Sequence, residues 1–207
     1  MCRLFRSNGY KTNYDYSLFY EMISPRIVVL ASGEGTTLQA IMEAGNVVLV
    51  ISNNSDSGAL RRARQFNVPG FVVGETAQPD LDMLAILESS GADLVVLAGY
   101  LQKIGKLTLK AYQGRIINTH PSLLPRYGGK GMYGRRVHQA VLDSGDTETG
   151  VTIHHVTNDY DTGVIIAQCV IPVIPGDTVT SIEERVKKVE KRMISEVIQN
   201  WQYAGGN

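Results

Sequence analysis

Cysteine is almost absent from this chain: among 207 residues there are only Cys2 and Cys169. No CxxC pair and no Cys/His cluster occurs, which removes the usual signature of a structural zinc site. Cys169 lies in an apolar stretch and reads as a small buried hydrophobe, fitting a reducing cytoplasm. An excess of charge of either sign is also lacking, since 20 basic residues cancel 20 acidic ones. That balance argues against a dedicated binder of nucleic acid or of an anionic membrane surface, which would carry a basic excess. No apolar run approaches the roughly 20 residues of a membrane-spanning helix. The first residues lack the apolar stretch and small-residue cleavage site of a signal peptide. There is no internal repeat and no low-complexity linker, so the length suits one domain.

What is present is a substantial apolar complement, 43% of the residues, arranged in a regular rhythm from Arg26 onward. Apolar runs rich in β-branched residues alternate with helical segments. Strands are expected at Ile27–Leu30, Val47–Ile51, Phe71–Val73, Leu94–Ala98 and from Ile116; helices at Thr36–Glu43, Gly58–Phe66, Leu81–Ser89 and Ile104–Tyr112. This alternation predicts an α/β fold, a doubly wound, mostly parallel sheet covered by helices on both faces, with ligands at the carboxyl ends of the strands. After Gly134 the rhythm changes. A helix at Arg135–Leu142 precedes two apolar stretches, Val151–Val156 and Val164–Val173, with no helix between them, so they are expected as antiparallel additions. A long last helix, Ser181–Trp201, repeats Ile182, Val186, Val189, Met193 and Val197 on one face. Residues 1–24 stand apart. They carry Tyr10, Tyr14, Tyr16 and Tyr20 without clear periodicity and read as an extension outside the core, leaving residues 25–207 as the single domain.

Three stretches carry chemistry. Asn118-Thr119-His120-Pro121-Ser122-Leu123-Leu124-Pro125 follows an expected strand. Alternate residues of a strand share a side, so Asn118 and His120 project together. An amide and an imidazole side by side can hold an oxyanion and move a proton at a carbonyl; they also fit polar residues satisfied within a turn. Ser32-Gly33-Glu34-Gly35-Thr36-Thr37 joins a strand to a helix, where backbone amides and hydroxyls can meet an anion. The third glycine of a dinucleotide loop and the GK[ST] of a P-loop are missing, so one phosphate group fits it better than a pyrophosphate. A tight turn with Thr36 as helix N-cap is the alternative. Asp159-Tyr160-Asp161-Thr162-Gly163 joins the two late strands, where a carboxylate could tune an imidazole or simply shape a turn. Adjacent His154 and His155 are expected to face opposite sides, which makes them poor candidates for a shared metal. His138 reads as a surface or supporting residue, and the charge run from Lys187 to Arg192 as a solvated face.

Taken in order, SGxGTT, NxHPSLLP and YDTG resemble the formyltransferases that use 10-formyltetrahydrofolate, and among them the single-domain branch that formylates glycinamide ribonucleotide in purine biosynthesis. The resemblance covers about Arg26 to Trp201. It implies that Asn118, His120 and Asp161 are catalytic, with no metal required. It implies that Gly35, Thr36, Thr37, Pro121, Lys187, Lys188 and Glu190 contact the amine substrate. Leu101, Gln102, Lys103, Ile104, Asn118, Thr157, Asn158, Asp159, Tyr160 and Asp161 would surround the folate. Partners would be these two small molecules, with neither nucleic acid nor membrane, for a monomer or homodimer. The chain departs from the pattern in the short Ala44–Val47 connection, and in Gln102, where many members have Arg and where Lys103 would supply part of the charge. A formyltetrahydrofolate hydrolase, another formyltransferase on the same scaffold and a non-catalytic folate- or phosphate-binding module are the competing readings.

Overall fold

The computed structural model describes residues 2–4, 24–74 and 76–201. Tyr10, Tyr14, Tyr16 and Tyr20 lie outside these. Among the described residues, eight strands form one sheet: β1 (Cys2–Leu4), β2 (Ile27–Leu30), β3 (Val47–Ser52), β4 (Gly70–Val72), β5 (Leu94–Leu97), β6 (Ile116–His120), β7 (Glu148–His155) and β8 (Ile165–Pro172). Their order across the sheet is β1-β8-β7-β6-β5-β2-β3-β4. Strands β2 to β6 pair in parallel, and β7, β8 and β1 add antiparallel beyond β6. Every residue of β2 and β5 is buried, which is why both read as unbroken apolar runs rather than alternating ones.

Six helices among the described residues cover the sheet: α1 (Thr36–Ala44), α2 (Gly58–Gln65), α3 (Pro79–Ser89), α4 (Lys106–Ala111), α5 (Arg135–Asp143) and α6 (Val179–Gln199). Leu38 and Ile41 of α1, Ala59 and Ala63 of α2, and Ile182, Val186, Ile194 and Val197 of α6 pack on one face of the sheet. Met83 and Leu87 of α3, with Ile104 and Tyr112 flanking α4, pack on the other. Helix α4 begins two residues later than its apolar pattern suggests, because its cap is distant in sequence. The Asp80 carboxylate accepts from the amides of Leu107 at 2.7 Å and Thr108 at 3.0 Å, satisfying donors of the first turn that no local side chain reaches.

Residues 2–4 join the sheet as its edge strand instead of standing apart from it, and two further readings need correction. Thr36 is not the N-cap of α1; Gly35 is, at φ 69°, and no side chain caps that end. A Cβ on Gly35 would lie 2.7 Å from Ala59 Cα, so both the left-handed backbone and the approach of α2 require glycine. Cys169 is buried but is not a free thiol: it is disulfide-bonded. The pairing of β1 with β8 sets Cys2 directly opposite it in register, a long-range neighbour that no local pattern foretells.

Candidate active site

Strand order reverses between β2 and β5: the chain leaves β2 toward β3 on one side, while β5 lies on the other. A crevice opens at such a point outside the carboxyl ends of the strands. It is occupied by a cavity of about 710 Å³, large enough for a sizeable ligand, lined by the β2–α1 loop, the ends of β5 and β6, the β7–β8 loop, and α5 and α6.

Asn118 and His120 end β6 on the side that Ile116 shares, and both line the cavity. Each is held by the strand next door or by a loop. Opposite Asn118 in register is His154 of β7, just past an irregularity in the β7–β8 pairing. His154 Nδ1 is 2.9 Å from the carbonyl of His155, which can only accept, so Nδ1 carries the proton. Nε2 is then an acceptor, and Asn118 Nδ2 donates to it at 3.1 Å. One amide hydrogen of Asn118 is thereby fixed and the other is left for the cavity.

The His120 ring is held from both sides. Its Nε2 donates to the Tyr127 carbonyl at 2.8 Å, and Nδ1 faces Asp161 Oδ1 at 3.5 Å. Tyr127 and Asp161 have φ of 56° and 57°, left-handed values that non-glycine residues seldom adopt. Such outliers cost about 1–3 kcal/mol each and cluster where geometry serves function. Burial, the largest influence, pushes the His120 ring below its ordinary 6.5, against the opposing pull of Asp161. Burial alone would raise the Asp161 carboxyl; its contacts with His154 and His120 and the Gly129 amide, which donates to Oδ2 at 2.8 Å, outweigh this and hold it below the usual range. The resting pair is therefore a neutral imidazole facing a carboxylate, and a proton arriving at Nδ1 makes an ion pair out of sight of bulk water.

At the other end lies the β2–α1 loop. Residues Thr36 and Thr37 open α1, where first-turn amides have no partner within the helix. Ser32 braces this loop: its hydroxyl donates to Asn53 at 2.6 Å and accepts from the Leu101 amide at 2.9 Å, joining it to the segment after β5. Thr37 donates to Glu190 Oε2 at 3.1 Å and Thr119 to Oε1 at 2.5 Å, so one carboxylate from α6 ties the loop to β6. Burial raises the Glu190 carboxyl above its ordinary value, against these hydroxyls and Lys187. Lys187 donates to Glu183 at 2.6 Å, and Arg135 of α5 donates to the same carboxylate at 2.8 Å.

Gly35, Thr36, Thr37, Pro121, Lys187 and Glu190 all line the cavity, as do Leu101 to Ile104 and Thr157 to Asp161. Lys188 does not. It is exposed, because Glu183, Val186, Lys187 and Glu190 form one helical face and residue 188 is turned about 100° from 187. Lys103 lies 5.7 Å from the Tyr160 ring centre at the cavity wall. Among the lining residues that sequence does not mark as part of the site are His154, Glu183 and His138. His138 is 2% exposed, contrary to a surface reading. The signal for His154 is its place opposite Asn118, which requires the β6–β7 register. His155 turns to the other side, toward Trp201, as alternation requires. Among the described residues no group of three or more His, Cys, Asp or Glu could hold a metal, and no helix is long and apolar enough to cross a membrane.

Comparison with known proteins agrees with this arrangement. The formyl transferase family matches residues 25–198. A chloroplastic phosphoribosylglycinamide formyltransferase of Arabidopsis thaliana is 39% identical over 84% of this chain, which spans 64% of that protein's length. The Haemophilus influenzae phosphoribosylglycinamide formyltransferase is 34% identical over 84% of this chain and 85% of its own. The crystal structure of glycinamide ribonucleotide transformylase 1 from Symbiobacterium toebii superposes with a TM-score of 0.79 at 36% identity, covering 84% of this chain and 86% of that one. The match over residues 25–198 and these relatives agree: the chain belongs to the formyl transferase family.

Proposed function

We propose that this chain transfers the formyl group of 10-formyltetrahydrofolate to the amine of N1-(5-phospho-D-ribosyl)glycinamide, giving the N2-formyl product of de novo purine synthesis. One observation carries the reading: a single cavity has a loop suited to one phosphate at one end and Asn118, His120 and Asp161 at the other. An enzyme that only hydrolysed the formyl donor would have no use for the first. A binding module would have no use for the second. The names of the Arabidopsis and Haemophilus relatives support the same substrate pair.

The β2–α1 loop holds the phosphate through the free amides of α1 and the Thr36 hydroxyl, since the Thr37 hydroxyl is engaged by Glu190. Residues 101–104 and 157–161 hold the folate. With both substrates bound, attack becomes effectively intramolecular. As the amine nitrogen bonds to the formyl carbon, negative charge gathers on the formyl oxygen. Asn118 donates its free amide hydrogen there. His120 takes up at Nδ1 the proton the amine loses and passes it on to N10, with Asp161 stabilising the charged ring in between. When the bond from the formyl carbon to N10 breaks, N10 gains a proton and the attacking amine has lost one, so charge balances across the transfer. Pro121 closes the strand end and limits movement of the His120 backbone.

The test is a label transfer. Protein is mixed with glycinamide ribonucleotide and 10-formyltetrahydrofolate carrying carbon-13 in the formyl group, and the signal is followed by NMR. The formyl carbon is expected to appear on the glycinamide nitrogen. Its appearance only as free formate would overturn the transferase reading.

A further inference from the structure

His138 has no part in the chemistry above, yet its ring is almost wholly buried and lines the same cavity from α5. Nδ1 is sealed in the protein without a hydrogen-bond partner among the described residues. An unpartnered acceptor is the more tolerable defect, since a buried N–H without an acceptor is the rarer case. The ring therefore keeps its proton on Nε2, for which no described group serves as acceptor, and the cavity is where that N–H is open to a partner. Burial, the largest influence, holds the ring below its ordinary 6.5 against Glu183, so it stays an uncharged donor near neutral pH.

Helix α6 locates this donor. Glu183, Val186, Lys187 and Glu190 line the cavity from one face, and a rise of about 1.5 Å per residue separates the first and last by about 10 Å. Glu190 marks the phosphate end through its bond from Thr37. His138 belongs to the other end, within electrostatic reach of Glu183 and Lys187 on α6, Arg135 on its own helix and His120 on β6. A substrate fixed by its phosphate at Thr36 and Thr37, with its amine beside His120, carries its carboxamide between the two.

We propose that His138 is a further substrate-contacting residue, donating from Nε2 to the carboxamide oxygen of the amine substrate and so setting the rotation of its aminoacyl arm. The inference rests on the substrate reading above. A neutral donor suits the position, because it orients the oxygen without adding a cation beside an amine that must stay unprotonated to attack.

The experiment compares His138→Phe, which keeps a ring but no donor, with His138→Gln, whose amide reaches about where Nε2 lies. Gln139→Ala, on the exposed side of α5 where Gln139 bonds Asp143, is the control. Binding of glycinamide ribonucleotide is measured by calorimetry, KM and kcat by folate release, and folding by thermal melting. The Phe variant is expected to weaken the Kd and KM for the amine substrate about tenfold, the size of one lost hydrogen bond, with folate affinity unchanged. His138→Gln is expected to recover to within about threefold of the wild type. Should the Phe variant not fold, His138→Asn replaces it, since that amide reaches only the Nδ1 position. Equal weakening in the donor and non-donor variants, or none in either, overturns the proposal. Turnover by the wild-type protein judges the substrate reading separately.

Discussion

Replacing His154 tests whether Asn118 acts as an oriented donor or merely as a polar residue near the substrate. His154 accepts from Asn118 Nδ2 at 3.1 Å while Nδ1 is anchored on the His155 carbonyl at 2.9 Å. The imidazole is therefore a rigid post against which the amide leans, and it is 2% exposed. His154→Phe keeps ring volume and removes both bonds, together with the 3.5 Å approach of Nε2 to Asp161 Oδ1, which Asp161→Asn alone measures. Loss of an oxyanion donor outright costs about 10²–10³ in kcat. Loss of its orientation forfeits part of that, so kcat is expected to fall about 10–100-fold with little change in the KM for either substrate. Asn118→Ala is expected to show the full loss. The decisive comparison is the double variant. If His154 acts through Asn118, adding His154→Phe to Asn118→Ala costs almost nothing further, a coupling of about 1.4–2.8 kcal/mol in the cycle. Initial rates of folate release at saturating substrates give the numbers, and urea unfolding confirms that the variants fold. Strictly multiplicative losses, or a single variant within twofold of the wild type, would refute the reasoning.

Gly35→Ala places a Cβ 2.7 Å from Ala59 Cα on a left-handed backbone. It is expected to lose at least about 1–2 kcal/mol in urea unfolding and to raise the KM for the phosphate-bearing substrate more than that for folate. Ile182→Ala opens a fully buried site between α6 and the sheet and should lower unfolding free energy by about 2–5 kcal/mol at constant m. The pH dependence of stability has a definite sign. His120, His138 and His155 are all pushed below 6.5 by burial, so the unfolded chain binds more protons near that value. Their contribution is present above pH 6.5 and is lost as pH falls through it toward the lower folded values. Glu190 acts in the opposite sense. Its raised pKa gives a contribution present below the ordinary 4.5 and lost as pH rises through the folded value. Urea midpoints between pH 8 and 5.5 should therefore decline on the acid side, and a midpoint that rises with acidification contradicts the histidine assignments.

Much of this architecture is legible in the sequence because it is local. Apolar runs such as Leu94–Leu97 bury every side chain and announce central strands, while Ile182, Val186, Met193 and Val197 announce the inner face of α6 at helical spacing. The pair Asn118 and His120 follows from strand alternation alone. What stays hidden depends on partners far along the chain. Asp80 caps a helix that begins 26 residues later. His154 matters because β7 is registered with its Cα opposite Asn118, and no pattern within β7 states that register. The interior place of His138 follows from how α5 packs against α6, and the pairing of β8 with an edge strand from the other end of the sequence is equally long-range. Lys188 differs for the opposite reason: a run of charges reads as one unit along the chain, although only one face of the helix reaches the cavity.

The central claim is that one cavity brings a phosphate-bearing amine and a formyl donor onto Asn118 and His120. The most direct measurement is the initial rate of folate release from 10-formyltetrahydrofolate, with and without glycinamide ribonucleotide, for the wild type and His120→Ala. The account predicts release that depends on the amine and falls about 10²–10⁴-fold in the variant. Release that proceeds equally without the amine, or that survives loss of His120, would contradict it.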